Sequence, residues 1–159
     1  FPQFTLINTY FPSGSSSEER HEFKMEFLKR YRDYMLQLRK SAAPLIVAGD
    51  YNIVHTELDI HNPERKDNPS GYRPEERQWM TEWLQEGFVD SYRHLHPEER
   101  SYSWWSYRAK SRERNKGWRI DYISIDKNLT PLLGDAHQMP EAKHSDHCPV
   151  MLDVDWSKA

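Results

Sequence analysis

The stretch Leu45-Ile46-Val47-Ala48-Gly49-Asp50-Tyr51-Asn52 decides the fold. Its first five residues form a short continuous apolar run, the pattern of a strand buried on both faces. It ends in a carboxylate and a carboxamide two residues apart, at a strand end, where function tends to sit. Upstream, Phe4 to Tyr10 is β-branched and aromatic and reads as a strand. Pro12-Ser13-Gly14 and three serines follow as a loop, with Ser16 or Ser17 available to cap a helix and Glu18 and Glu19 in its first turn. Phe23, Phe27, Tyr31, Met35 and Leu38 recur at helical spacing and predict an amphipathic helix that ends before Pro44.

Downstream, Asp50 to Tyr72 is polar and rich in Asn, Pro and charge, and reads as one long loop of the kind that carries function. Pro74, Glu75 and Glu76 open a second helix bearing Trp79, Met80, Trp83 and Leu84, which Gly87 ends. Tyr102 to Tyr107 and Trp118 to Ile125 read as strands, and Val150, Leu152 and Val154 alternate as a last strand. Strands interleaved with helices predict an α/β or α+β layered fold. The 159 residues suit about one domain. A 13% aromatic share argues against disorder, since large rings bury enough surface to offset chain entropy. The single cysteine, Cys148, excludes an internal disulfide framework and fits a reducing compartment. No stretch approaches the ~20 apolar residues of a membrane span, so no membrane partner is expected.

Four polar constellations carry the candidate chemistry. Asp50 and Asn52 can jointly orient one water or one metal-bound oxygen, or simply satisfy a turn. Ser145-Asp146-His147 suits Mg²⁺ coordination with phosphate contact, a general acid/base pair, or a plain strand-entry turn. In Gly117-Trp118-Arg119-Ile120-Asp121-Tyr122, Asp121 is expected in mid-strand, where it needs a partner: His147, held in one tautomer, or an arginine. In Asn8-Thr9-Tyr10-Phe11-Pro12, Tyr10 ends a strand with its hydroxyl free. No regular HxxxH or HExxH spacing or second cysteine supports a zinc domain.

Taken in order, NTYFP, GDYN, GWRIDY and SDHCPV resemble the exonuclease III type of apurinic/apyrimidinic (AP) endonucleases, within the endonuclease/exonuclease/phosphatase superfamily. The resemblance also covers Glu57-Leu58-Asp59-Ile60, Pro74-Glu75-Glu76-Arg77, Asp90 to His94 and Trp104 to Arg108. It implies a Mg²⁺- or Mn²⁺-dependent nuclease acting on double-stranded DNA with abasic or 3′-blocked damage. Asp50 would orient or deprotonate the attacking water, Asn52 would hold that water and the phosphate, and Tyr10 would add a hydrogen bond. His147, held by Asp121, would contact the scissile phosphate. Asp146 would bind the metal, and a second metal position would draw on Asp50, Asn52 and His147. Trp104, Trp118 and Ile120 would line the pocket for a flipped abasic sugar. Arg108, Lys110, Arg112, Arg114 and Lys116, with Tyr107, would press on the DNA backbone or minor groove. Ser13, Lys66, Asn68 and Tyr72 would add contacts, and Gly71 would keep the cleft open.

The implied fold is a four-layer α/β/β/α sandwich. The resemblance further implies that residues 1–159 are roughly the C-terminal 60% of that domain, with about 90 to 100 residues preceding them. The absence of Met at position 1 and the strand-first start at Phe4 lead to the same expectation. The missing N-terminal part is expected as a tightly associated second chain, the assembled enzyme being monomeric. Without it a sheet face would lie exposed, and Asp146 alone would offer too few oxygens to Mg²⁺. The net charge of -3 is unusual for a DNA-binding protein and implies segregation of charge between faces. A bacterial cytosol is the expected location, or a nucleus if the source is eukaryotic. The competing functions are a small-molecule phosphoesterase of the same superfamily and a catalytically inactive DNA-binding module.

Overall fold

The structure, a computed structural model, describes all residues from Phe1 to Ala159. Its elements run β1 (Thr5–Asn8), α1 (Glu18–Arg39), β2 (Leu45–Asp50), α2 (Pro74–Gln85), β3 (Phe88–Asp90), α3 (Ser91–Leu95), β4 (Asp121–Asp126), β5 (Leu133–Gln138) and β6 (Val150–Val154). Four strands form one sheet in the order β1-β2-β4-β3, with β1 parallel to β2 and the other two pairings antiparallel. The antiparallel pair β5-β6 forms a second sheet.

Alternation along β2 sorts its side chains into two cores. Leu45 and Val47 pack under the helices with Leu28, Met35, Trp79, Met80 and Trp83. Ile46 faces the other way, with Ile125, Leu129, Leu132 and Leu133 and with Leu152 and Val154 of β6. The result is a mixed α/β fold layered as helices, main sheet and second sheet. Leu6 on β1 and Met151 on β6 stay exposed, at 48% and 40%. No helix is long and apolar enough to cross a membrane.

The first helix begins as expected, with the Ser17 hydroxyl accepting the Arg20 amide at 3.2 Å. Its buried face, however, is His21, Lys24, Leu28, Tyr31 and Met35, and Phe23 is 54% exposed. Tyr31 and Met35 hold to the expected period, with Phe27 and Leu38 packed against the same core, and Phe23 alone departs from it. Tyr102 to Tyr107 is not a strand; Trp104 makes only isolated bridges to Trp118 and His147. Nor do Trp118 to Ile120 extend β4. The Ser103 hydroxyl, not a neighbouring strand, accepts the amides of Ile120 and Asp121, both at 3.1 Å. Asp121 is therefore the first residue of β4 rather than a mid-strand residue. The sequence reading omits β5, whose alternation is spoiled by a register shift between Leu133 and Asp135.

Candidate active site

The register of β2 on β4 sets Asp50 directly opposite Asp121. Tyr51, between the two polar residues of GDYN, is fully buried, stacks on Phe11 at 4.3 Å and donates its hydroxyl to the Val47 carbonyl at 3.0 Å. That anchor turns Asp50 and Asn52 to the opposite side. Asn52 takes a left-handed φ of 51°, a region asparagine tolerates better than most residues. Its main-chain amide donates to Asp50 Oδ1 at 2.8 Å. Its Nδ2 donates to Asp50 Oδ2 at 3.0 Å and to the Phe11 carbonyl at 2.9 Å. Both side-chain amide protons are thereby used, which leaves Asn52 Oδ1 as an acceptor.

His147 Nδ1 lies 2.9 Å from Asp121 Oδ2, so the carboxylate holds the proton on Nδ1 and leaves Nε2 open. Asp50, Asp121 and His147 bring their ligand atoms within 4.8 Å of one another. Burial, reinforced by the like charge of Asp121, raises the Asp50 pKa to about 6. Burial pulls the His147 pKa down, but the hydrogen bond and charge of Asp121, with Asp50 and Asp146, outweigh it and the net shift is upward. Asp146 stands beside this cluster; its Oδ2 accepts the Trp104 indole N–H at 3.0 Å and its Oδ1 the Ser145 hydroxyl at 3.2 Å. Partial burial opposes its ionisation, yet these bonds hold its carboxyl below the usual range.

Next to the cluster opens a cavity of about 550 Å³ whose lining includes Ser13, Asn52, Asn68, Trp104, Trp118 and Ile120. Trp104 and Trp118 meet edge to face, 5.7 Å apart at 70°. Asn52 and Trp104 belong both to the cavity wall and to the polar cluster, so chemistry and pocket are one site. Its residues, from Ser13 to His147, come from six separate segments of the chain.

Other candidates fall elsewhere. Tyr10 is 67% exposed and bonds to none of the cluster, although its neighbour Phe11 donates its amide to the Asp50 carbonyl at 2.8 Å. Tyr107 is 79% exposed outside the cavity, and Arg108 and Lys66 are also exposed. Tyr72 is buried, with its hydroxyl on the Pro63 carbonyl at 3.2 Å, and offers no surface to a ligand. Arg112 is not a free cation of the basic loop. Its guanidinium donates to the carbonyls of Ser145, Pro140 and Ala142 at 2.6, 3.0 and 2.7 Å and covers the Trp105 ring at 4.6 Å. Gly71 is buried with φ of +91° and does not line the cavity; a Cβ there would meet the Asn52 carbonyl at 3.0 Å and the Trp118 ring at 3.1 Å. A side chain there would press on Trp118, which does line the cavity.

Two charged networks escaped the sequence reading. Arg119, fully buried, forks onto Asp90 at 3.0 and 2.7 Å and reaches Asp59 at 2.7 Å, where Arg93 joins at 2.6 Å. Lys24 and Glu76, both fully buried, meet at 2.6 Å. The signal for the first was present: a charged residue inside GWRID requires a buried partner, and ELD and VDS supply two.

Residues 2–147 match the Endonuclease/Exonuclease/phosphatase family. The chain belongs to that family. Among its relatives is an exodeoxyribonuclease of Bacillus subtilis, 39% identical over 155 residues, covering 97% of this chain and 61% of the relative. A DNA repair nuclease of Danio rerio is 37% identical over 153 residues, covering 96% of the chain and 49% of the relative. In structure the chain is similar to a 3′ phosphatase from Neisseria bound to a product DNA hairpin, with a TM-score of 0.91, 28% identity, and coverage of 97% of this chain and 62% of that one. An AP endonuclease from Archaeoglobus fulgidus gives a TM-score of 0.85 at 30% identity, covering 96% and 62%. The chain thus spans about half to three fifths of the length of these family members. None of this supports a separate partner chain.

The donor set fits the metal chemistry of the family. Asp50 and Asp121 face each other as adjacent carboxylates whose mutual repulsion a cation would relieve. Mg²⁺ keeps several waters and needs only one or two protein carboxylates beside substrate phosphate.

Proposed function

We propose that this chain forms the catalytic portion of a metal-dependent phosphodiesterase, within a single domain of its family, that acts on duplex DNA as a repair nuclease. The bond hydrolysed is the phosphodiester 5′ to an abasic site, with 3′-phosphatase, 3′-phosphodiesterase and 3′→5′ exonuclease activities drawing on the same groups. The observation that carries this reading is the Asp50–Asp121–His147 cluster opening directly beside the cavity walled by Trp104, Trp118 and Ile120. Its relatives, a nuclease and a DNA repair nuclease, point to the same substrate.

Asp50 accepts the proton of the attacking water, its carboxylate aimed by the two Asn52 bonds. Asn52 Oδ1 is the remaining acceptor on that wall and helps orient the same water. In its doubly protonated form, which the raised pKa favours, His147 donates Nδ1–H to Asp121 and presents Nε2–H to a non-bridging phosphate oxygen as charge develops. The Trp104 and Trp118 rings give an apolar seat to a sugar that lacks its base, and a missing base lowers the cost of flipping. Asp50 and Asp121, whose ligand atoms lie within 4.8 Å of each other, would hold Mg²⁺ or Mn²⁺ with Asp146 as a further carboxylate beside them, and the bound ion would supply Lewis-acid neutralisation of the phosphate.

The test is cleavage of abasic duplex, 3′-blocked duplex and an inositol phosphate side by side, with and without chelator, by the intact protein and by Asp50→Ala and His147→Ala. Chelator-sensitive cleavage of the DNA substrates, cut ~10²- to 10⁴-fold by each substitution, is expected. Preferential turnover of the inositol phosphate would move the protein to the small-molecule branch of the family. Activity surviving both substitutions would overturn the mechanism.

A further inference from the structure

Behind the site lies a closed ring of contacts that the chemistry above does not use. Lys24 Nζ, fully buried on α1, donates to the main-chain carbonyl of Asn52 at 2.7 Å and to Glu76 Oε1 at 2.6 Å. Glu76 Oε2, on α2, accepts the amides of Gly71 at 2.7 Å and Arg73 at 3.0 Å. Gly71 in turn abuts that same Asn52 carbonyl, which a Cβ at position 71 would meet at 3.0 Å, and it backs onto the Trp118 ring. The ring therefore runs from Lys24 to Asn52, to Gly71, to Glu76 and back.

A buried ion pair is weak evidence of stabilisation, because well-packed apolar residues of similar volume commonly serve a fold as well or better. The pair here does something apolar residues cannot. It satisfies three backbone groups of two loops that carry no ladder of their own, and two of them belong to residues held at positive φ, Asn52 and Gly71. A one-ångström drift of Asn52 would misdirect both bonds that aim Asp50. We propose that Lys24, with Glu76, is a positioning residue of this site, holding Asn52 through its carbonyl and the Gly71 turn against Trp118. The proposal rests on the catalytic role given above to Asp50 and Asn52.

The decisive variant is Lys24→Met/Glu76→Leu, which removes both charges at once and leaves no buried ion unpaired. It is expected to remain folded with a lowered urea midpoint, since three backbone groups lose their partners, while kcat of the folded protein on abasic duplex falls ~100-fold. KM should stay within about threefold. A second readout is independent of activity: the Asn52 side-chain amide protons, locked between Asp50 and Phe11, should shift in the NMR spectrum and exchange faster in the variant. If that pair of substitutions fails to fold, Lys24→Met/Glu76→Gln, which removes both charges but keeps an acceptor for Gly71, must show the same loss in kcat and the same amide change. Wild-type kcat with unmoved Asn52 amide signals in the folded variant overturns the proposal. If the wild-type protein cleaves no DNA at all, the functional reading fails, while the amide signals still decide the positioning role.

Discussion

Replacing Asp121 by Asn should separate stability from activity at this site. The carboxylate lies 2.9 Å from His147 Nδ1 and faces Asp50 across the β2–β4 ladder. Like charges directly opposite in a sheet cost ~0.2 to 1 kcal/mol, so removing one relieves Asp50. The loss on the other side is the difference between a charge-assisted and a neutral hydrogen bond, about 1 to 2 kcal/mol. The two partly offset in the folded state, and the stability read from urea unfolding should fall by no more than ~2 kcal/mol. In the transition state nothing offsets the lost charge, because the imidazole then faces a phosphate of growing negative charge. At ~1.4 kcal/mol per tenfold, kcat should fall at least about fivefold to thirtyfold. If the new amide turns its NH₂ toward Nδ1 and forces the other tautomer, the loss approaches the ~10⁴ seen when a triad aspartate becomes asparagine. Initial rates on an abasic duplex, paired with urea unfolding of the same samples, measure both quantities. A kcat within about twofold of wild type, or a stability loss beyond ~3 kcal/mol, would mean that Asp121 serves the fold rather than the imidazole.

Arg119→Met should destabilise the protein by ~3 to 5 kcal/mol, since Asp90 loses its fork and Asp59 keeps only Arg93, both carboxylates being buried. A urea midpoint shift worth less than ~1 kcal/mol would refute the account of that network. Although burial opposes it, pairing with Arg119 and Arg93 holds the Asp59 carboxyl well below the usual carboxylate range. Its stabilisation is therefore complete above the unfolded value of ~3.9 and lost only as pH falls below that. The stability gap between wild type and Asp59→Asn should stay constant from neutral pH down to that point and narrow beyond it; a gap that closes near neutrality would contradict the pairing. In DNA binding, Arg108→Ala should flatten the salt dependence by about one phosphate contact. Arg112→Ala should leave that slope alone and lower kcat instead, because its guanidinium is already spent on the Ser145 turn. The reverse pattern would restore Arg112 to the DNA-binding surface.

The parts of this protein legible in sequence are those set by local chemistry. LIVAG reads as a doubly buried strand because a continuous apolar run admits no wet face, and α2 reads from Pro74 to Gly87 through its own start and stop residues. GDYN and SDHC mark the site because polar groups after a buried strand, or before one, stand where the backbone turns outward. Packing across long separations was not legible. Whether Asp121 takes a histidine or an arginine was left open by spacing; the fold decided it by sending Arg119 to Asp59 and Asp90 and leaving Asp121 to His147. Phe23 read as part of the buried face of α1, but it is exposed, while its neighbour Lys24 is buried against Glu76 of α2. Arg112 counted as one basic residue among five until three carbonyls claimed it. Composition and periodicity record what each residue prefers by itself. Which charge is satisfied, and by whom, depends on partners dozens of positions away, and only the tertiary structure brings those together.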